Sequence, residues 1–187
     1  MGVVVALSVV LALAGCGGGG EATFDPGPVE IAQPGSTVAL GERAFVRYVD
    51  RAAKPELTVK TTLGVTVKEV NEGNASDIDG LGESTVPYYV HVEYENHGQA
   101  AIQARGPGGR FTIRGSDGED YDTEAVISFG GEFEACPRGD PQATLAPKEA
   151  MEDCVVVTMT EGVSPQEVRF LQGDYYLEQE PVGWRVG

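Results

Sequence analysis

The most constraining feature of this chain is an alternation of apolar and polar residues between residues 86 and 96. Successive side chains of a β-strand point to opposite faces of a sheet, so a period of two predicts a strand with one buried face. The apolar face carries Val86, Tyr88, Val90, Val92 and Tyr94, and the polar face carries Tyr89, His91, Glu93 and Glu95. Turn-forming residues follow from Asn96 to Gly98, so we expect a central strand that ends there.

The same period recurs in other stretches of the sequence. Residues 57–63 and 65–68 alternate in the same way, and we expect two strands there. Further strands are expected at residues 44–49, 111–114, 126–129, 154–159, 168–171, 175–178 and 184–186. No long window shows convincing helical periodicity, and the best candidate for a helix is the short acidic stretch 147–153. About seven to nine short strands, separated by turn residues, predict an all-β chain folded as an antiparallel β-sandwich.

The N-terminal stretch has the pattern of an export signal. Residues 3–14 are apolar apart from Ser8, which is too short for a membrane span of roughly 20 residues but suits a secretory signal of about 7–15. It runs into Leu-Ala-Gly-Cys at residues 13–16, which resembles the lipobox of bacterial lipoprotein signals, where the cysteine thiol takes a diacylglyceryl group. The resemblance implies that residues 1–15 are a cleaved signal peptide and that Cys16 is the lipidation site.

The signal departs from the usual pattern at its start. The first segment of a signal peptide is normally positive, but no lysine or arginine precedes Arg43. Either the true start lies upstream, or this signal works with a minimal positive segment. In both cases we expect a lipid-anchored protein of the cell membrane that faces the extracytoplasmic side.

Residues 16–36 have the composition of a tether to a folded domain at residues 37–187. Four glycines follow Cys16, and three prolines come after them. Gly-rich chain is flexible and Pro-containing chain is stiffer and extended, so this segment is expected to hold the domain away from the bilayer. An alternative is that Val29 and Ile31 add an edge strand, because flanking prolines confine a strand to a sheet edge.

The net charge of −16 excludes one class of partner. A nucleic-acid binder needs basic patches that neutralise phosphates, and this chain is strongly acidic. Docking on anionic lipids also needs basic clusters. The expected contact with the membrane is therefore made by the N-terminal lipid, since two or more acyl chains give stable anchoring.

The three cysteines agree with export. If Cys16 carries lipid, Cys136 and Cys154 remain as an even pair in an oxidising compartment, and we predict a disulfide between them. The alternative is two free, buried cysteines that act as small hydrophobic residues. Neither this pair nor His91 and His97 has the spacing of a zinc site.

The order of these features resembles a known group of domains. The features are the lipobox, the glycine-rich tether, a strand carrying Gly41 and Glu42, the strand and turn at 90–98, the strand at 111–113 that runs into Ser-Asp-Gly at 116–118, the cysteine pair, and the stretch 163–170. In this order they resemble the DUF4352 and MPT63-like immunoglobulin-like domains. The resemblance implies an immunoglobulin-like β-sandwich over about residues 37–186 in an exported or lipid-anchored protein of Gram-positive bacteria. It implies no catalytic residue.

The sequence contains no recognisable catalytic or cofactor motif. Nucleophile-elbow, P-loop, HExxH and EF-hand patterns are absent. His91 and Glu93 lie two residues apart on one strand face, which makes them a candidate half of a metal site. The simpler interpretation is a polar, half-exposed sheet face that needs no metal.

An acidic run after the predicted strand at 111–114 is a candidate calcium site. Calcium takes six to eight oxygen ligands, and the candidate ligands are Asp117, Asp120 and Asp122. Glu119 and Glu124 belong to the same run, and Asp77 and Asp79 form a smaller group. The alternative is that Ser-Asp-Gly at 116–118 is an ordinary turn with solvated charges.

Three functions from different classes remain. The leading hypothesis is a non-enzymatic interaction module, without a cofactor, that binds an envelope or extracellular protein. The second is a module that binds a small ligand or calcium, which predicts a cleft lined by apolar or acidic groups. The third is a hydrolase with an unrecognised site, which predicts a base beside a nucleophile.

Overall fold

The computed structural model describes residues 29–50, 59–78, 80–82, 84–103, 111–123, 136–140, 142–171 and 180–187. The predicted lipidation site Cys16, the predicted signal peptide and the strands predicted at 126–129 and 175–178 lie outside these residues. The described chain contains eleven β-strands and one short 3-10 helix at Ala75–Asp77. The strands are β1 (Thr37–Ala39), β2 (Arg43–Asp50), β3 (Val59–Glu72), β4 (Thr85–Asn96), β5 (Ile102–Gln103), β6 (Phe111–Gly115), β7 (Asp120–Asp122), β8 (Thr144–Leu145), β9 (Ala150–Thr160), β10 (Pro165–Phe170) and β11 (Val182–Arg185).

These strands confirm the predicted β-sandwich. A five-stranded sheet has the order β1-β11-β10-β6-β7, and a four-stranded sheet has the order β2-β3-β4-β9. A small two-stranded sheet pairs β5 with β8. The predicted central strand at 86–96 is β4, which lies between β3 and β9. One pairing departs from the predicted antiparallel pattern, because β1 runs parallel to β11.

The core lies between the two larger sheets. The four-stranded sheet contributes Val46, Val65 and Tyr94, and the five-stranded sheet contributes Phe111 and Trp184 among others. The Tyr94 and Phe111 ring centroids are 6.2 Å apart, so aromatic contact bridges the sheets. The indole N–H of Trp184 donates to a backbone carbonyl at 2.8 Å, which satisfies the polar atom of a fully buried side chain.

Strand β3 runs through the boundary that the sequence predicts between two strands. Gly64 interrupts the apolar pattern, but it pairs with Phe45 on one side and Glu95 on the other. A Cβ built at Gly64 would lie 3.2 Å from Arg43 Cδ and 3.3 Å from Phe45 Cε1. The glycine therefore allows a close approach of side chains from β2 and does not end the strand.

Residues 147–153, the best helix candidate in the sequence, do not form a helix, in agreement with the predicted all-β fold. Lys148 has a φ of 70°, a left-handed conformation that cannot continue a right-handed helix. The N–H of Glu149 donates to the carbonyl of Ala146 at 3.0 Å, which closes a turn, and β9 begins at Ala150. Met151 then packs against the core while the next residue, Glu152, is exposed, as expected for a strand.

Residues 29–36 form no strand, so the alternative edge strand at Val29 and Ile31 is not present. Two backbone contacts nevertheless attach this segment to the sandwich. The N–H of Ala32 donates to the carbonyl of Phe45 at 2.8 Å, and the N–H of Gly35 lies 3.2 Å from the carbonyl of Glu180. The end of the predicted tether therefore contacts the domain.

Candidate functional site on the outer face of the four-stranded sheet

A β-bulge organises the outer face of the four-stranded sheet, the face that points away from the core. The register between β3 and β4 shifts between Val67 and Glu69, so Lys68 has no directly paired residue on β4. The extra residue lets both Lys68 and Glu69 be exposed, after which Val70 returns to the core side. The sequence carries the signal of this bulge, because two polar residues stand together between Val67 and Val70 where the alternation allows one.

A charge ladder crosses the outer face from β2 to β9; it consists of Arg43, Lys68, Glu93, Glu95 and Glu152. Arg43 Nη2 lies 2.7 Å from Glu93 Oε1, and its other terminal nitrogen contacts Glu95. Lys68 Nζ lies 2.8 Å from Glu93 Oε2 and 2.5 Å from Glu152 Oε1. One carboxylate, that of Glu93, thus joins cations from two neighbouring strands.

The charge ladder favours the charged forms of Glu93 and Lys68. The hydrogen bond from Lys68 is the main cause that lowers the pKa of Glu93, and Arg43 adds to it. In turn, the hydrogen bonds with Glu152 and then Glu93 raise the pKa of Lys68. These side chains keep between 19% and 77% of their surface exposed. Each exposed ion pair contributes about 0–1 kcal/mol, so their arrangement matters more than their stabilising effect.

His91 does share the outer face with Glu93, as the alternation predicts, but the two side chains have different partners. His91 Nε2 lies 3.8 Å from Glu69 Oε1 and 3.9 Å from Cys154 Sγ. Both oxygens of Glu93 are bound by Arg43 and Lys68. The structure therefore does not bring this pair together as half of a metal site.

His97, the other histidine, is enclosed by its neighbours. Its Nε2 lies 2.8 Å from Glu95 Oε1, and its Nδ1 lies 3.3 Å from Lys148 Nζ. Its ring meets the Phe45 ring edge-on, with centroids 4.8 Å apart. These contacts connect the charge ladder to the turn after β4.

The predicted disulfide between Cys136 and Cys154 is present, with the two Cα atoms 5.2 Å apart. It does not lie between the sheets, where the disulfide of antibody domains packs against a core tryptophan. Cys154 lies on the outer face of β9, and both cysteines belong to a second apolar cluster with Ile78, Tyr89 and Val156. The disulfide therefore fixes the stretch at 136–140 against the outside of the four-stranded sheet.

Asp153, next to Cys154, is a largely buried carboxyl group. Its Oδ1 accepts the N–H of Gly139 at 3.0 Å and the N–H of Cys154 at 2.9 Å. Burial raises the pKa of Asp153, although these two bonds and nearby Arg138 act in the opposite direction. The side chain thus connects the stretch at 136–140 to β9 by a second route, beside the disulfide.

Within the described residues, the three calcium candidates do not share an interaction partner, and each has a different environment. Asp117 accepts the hydroxyl of Tyr121 at 2.7 Å and the N–H of Glu119 at 3.1 Å, and the Tyr121 bond is the main cause that lowers the pKa of Asp117. Asp122 is exposed on β7. Asp120 is bound by two arginines, at 2.6 Å from Arg114 Nε and 2.8 Å from Arg169 Nη1.

The predicted turn at 116–118 is confirmed and accounts for part of this acidic run. Gly118 has a φ of 86°, which favours glycine, and its N–H donates to the carbonyl of Gly115 at 3.0 Å. Glu124 and Asp79 lie outside the described residues. Over the ranges that the structure describes, no group of three or more His, Cys, Asp or Glu side chains is arranged to hold a metal ion.

Two solved structures are similar to this chain, and the first of them supports the fold. The crystal structure of MPT63, a secreted protein from Mycobacterium tuberculosis, matches with a TM-score of 0.53 and 18% identity over 80% of this chain and 96% of that chain. An uncharacterized β-sandwich protein from Clostridium difficile matches with a TM-score of 0.46 and 10% identity, over 87% of this chain and 100% of that one. No protein-family model and no curated protein sequence matches the chain.

The MPT63-like part of the predicted resemblance is thus supported at the level of the β-sandwich. The DUF4352 resemblance stays a prediction. Within the residues that the structure describes, no helix has the length and hydropathy of a membrane span.

Proposed function

We propose that this chain is a lipid-anchored, extracytoplasmic β-sandwich that acts as a non-catalytic interaction module at the cell envelope. The observation that carries the proposal is the charge ladder, a set of partly exposed charged side chains that contact one another across all four strands of the sheet. The charges of this surface are already oriented, so a protein partner could bind them without further ordering of the side chains. Such charge complementarity favours specific association.

The location part of the proposal combines three independent features. The N-terminal sequence has the pattern of a lipoprotein signal that ends at Cys16. The buried disulfide between Cys136 and Cys154 belongs to an oxidising compartment. The fold is similar to that of a secreted protein.

The non-catalytic part rests on what the polar side chains already contact. His91 faces Glu69 and a disulfide sulfur, and His97 lies between Glu95 and Lys148. A general base needs a nucleophile or a substrate proton within hydrogen-bond reach. In the described residues, the observed partners of these imidazoles are charged side chains and a disulfide sulfur rather than a nucleophile, which supports a non-catalytic module.

The anchor is tested by replacing the lipidated cysteine. Cys16→Ser should abolish labelling by an alkyne-bearing fatty acid and move the protein out of the detergent-rich phase, because no thiol remains to accept a diacylglyceryl group. Gly20→Ser is the matched control, since it adds a hydroxyl to the same segment and keeps the thiol. Equal labelling and membrane recovery of the Cys16→Ser protein would refute the anchor.

The interaction surface is tested by site-specific crosslinking in intact cells. A photoreactive residue at Asn71, exposed on the outer face of the four-stranded sheet, should give a discrete adduct. The same residue at Arg185, exposed on β11 of the other sheet, serves as the control position. Loss of the Asn71 adduct in an Arg43→Glu, Lys68→Glu protein is expected. Adducts that are equally strong at both positions and insensitive to this charge reversal would contradict the proposal.

A further inference from the structure

Three side chains from neighbouring strands line up across the outer face of the four-stranded sheet. Glu69 on β3 is paired with His91 on β4, and His91 is paired with Cys154 on β9. His91 Nε2 lies 3.8 Å from Glu69 Oε1 and 3.9 Å from Cys154 Sγ. The bulge at Lys68 creates this alignment, because without the extra residue β3 would present Lys68 opposite His91.

The aligned residues run from solvent to a buried sulfur. The side chain of Glu69 is 57% exposed and that of His91 is 25% exposed. Cys154 and Cys136 keep 1% and 0% of their surface exposed. An imidazole with access to water therefore contacts one sulfur of a buried disulfide.

We propose that the Cys136–Cys154 disulfide is a thiol-exchange site. His91 determines which of its two sulfurs is attacked and which one leaves as a thiolate. The imidazole of His91 can present an N–H to Cys154 Sγ, since its Nε2 lies 3.9 Å from that sulfur. A thiolate accepts a charged hydrogen bond far better than a disulfide sulfur does. The contact with His91 therefore stabilises Cys154 most strongly after the disulfide is cleaved, which makes Cys154 the leaving thiolate.

The reaction partner is a dithiol reductant, and the exchange proceeds in two steps. Cys136 is fully buried, so the stretch at 136–140 first opens locally while the sandwich stays folded. A thiolate of the dithiol then attacks Cys136 Sγ and forms a mixed disulfide, while the electron pair of the broken bond passes to Cys154 Sγ next to His91. The second thiol of the reductant then attacks its own sulfur in the mixed disulfide and releases Cys136. The reductant leaves as a disulfide, and the protein gains two electrons and two protons.

Other charged groups around His91 do not replace its role at the sulfur. From β3 the facing group is Glu69, and from β9 it is Cys154 itself. On β4 the next residue along the same face is Glu93, whose two oxygens are bound by Arg43 and Lys68. His91 is thus the side chain with a hydrogen-bonding nitrogen near Cys154 Sγ in the described part of the sheet.

Reduction has a defined structural consequence. The disulfide attaches the stretch at 136–140 to β9, and the bond from the Gly139 N–H to Asp153 attaches it a second time. The disulfide closes a loop over a sequence separation of 18. After cleavage, the hydrogen bond from Gly139 to Asp153 would still attach this loop to β9. The outer surface beside the charge ladder would then change with the redox state of the envelope.

The first test measures the reactivity of Cys154 alone. In a Cys16→Ser, Cys136→Ser protein, Cys154 is the one remaining thiol, and its pKa is read from the ultraviolet absorbance of the thiolate. His91→Gln should raise this thiol pKa and slow alkylation near neutral pH about tenfold, which corresponds to a pKa change of about one unit. His97→Gln, in the other histidine, should leave both values unchanged. Equal thiol pKa values with and without His91 would overturn the proposal.

The second test identifies the attacked sulfur in the disulfide-bonded protein. A reductant of the thioredoxin type that lacks its second cysteine is trapped as a mixed disulfide and located by peptide mapping. We expect the adduct on Cys136, while the fluorescence of Trp184 reports that the sandwich remains folded. An adduct on Cys154, or trapping that occurs only after Trp184 fluorescence reports unfolding, would overturn the proposal.

Discussion

The side-chain amide of Asn96 donates to the carbonyl of Leu145 at 3.0 Å, although 49 residues separate them in sequence. The same amide group donates to the carbonyl of Ala100 at 2.8 Å. Its oxygen accepts the hydroxyl of Thr61 and the N–H of Gly98, both at 3.0 Å. All four hydrogen bonds that an asparagine side chain can make are therefore formed at a residue with no exposed surface. Asn96 joins β3, β8 and the turn after β4.

Asn96→Ala should lower the free energy of unfolding by about 3 kcal/mol or more, since it leaves several buried donors and acceptors without partners. Urea unfolding followed by Trp184 fluorescence measures the change. Asn71→Ala, at an exposed asparagine on β3, is the control and should change stability by less than about 0.5 kcal/mol. Similar losses in the two variants would show that the Asn96 contacts are not the source of the effect.

Trp184→Phe should destabilise the sandwich by about 2 kcal/mol, because it leaves a cavity and removes the bond to the carbonyl of Glu42. Trp184 is fully buried and is the single tryptophan of the chain, so the variant is measured by circular dichroism during urea unfolding. Leu40→Ala, at the residue that follows β1 and is 36% exposed, is the comparison and should change the unfolding midpoint little. An unfolding midpoint unchanged by Trp184→Phe would contradict the packing described for β11.

The pH dependence of stability should carry opposite contributions from Asp153 and Asp120. The folded-state pKa of Asp153 is raised by burial, so its contribution is complete below the ordinary carboxyl pKa and is lost as pH rises through the raised value. Asp120 has a pKa lowered chiefly by Arg114, so its contribution is present above the ordinary value and is lost as pH falls through the lowered one.

Relative to the parent, Asp153→Asn should therefore gain stability as pH rises, and Asp120→Asn should lose it. Urea unfolding from about pH 3 to about pH 7 measures both trends. Differences that are constant with pH for both variants would refute this assignment.

Calcium should leave the melting temperature unchanged between calcium-containing and chelator-containing buffer. The carboxylate of Asp120 is bound by Arg114 and Arg169, and both oxygens of Asp117 accept hydrogen bonds. A cation would have to displace these partners, and a ligand raises stability only when it binds the folded state. A calcium-dependent rise that Asp122→Asn abolishes would restore the calcium hypothesis.

The sequence predicts the strands well where one face is buried and one is not. Strands β2, β4 and β9 follow the period of two along their core faces, and their predicted ranges fall within the observed ones. The two-residue strands β5 and β8 carry too few residues to give a period. The parallel pairing of β1 with β11 depends on how the two ends of the domain meet, which no local pattern encodes.

The candidate site is predictable within a strand but not across strands. The alternation places His91 on the outer face together with Glu93, and this is correct. The neighbours of His91 depend on the register of β3 and β9, and the register of β3 depends on the bulge at Lys68. The adjacent polar pair at 68–69 is the sequence feature that corresponds to the bulge. The position of Cys154 opposite His91 depends on the order of the strands in the sheet, which no local pattern gives.

The parallel pairing of β1 with β11 also has a mechanical consequence. Thr37 lies opposite Gly183 and Ala39 lies opposite Arg185, so the chain enters this strand pair at one end and leaves it at the other. A pulling force applied between the two ends of the domain would act along the strands, so the hydrogen bonds at all three paired positions would carry the load together in shear. In two strands that are pulled from the same end, the hydrogen bonds break one after another. We therefore expect a high unfolding force in single-molecule stretching from both ends, and a lower one when the handles are attached at residues 37 and 182.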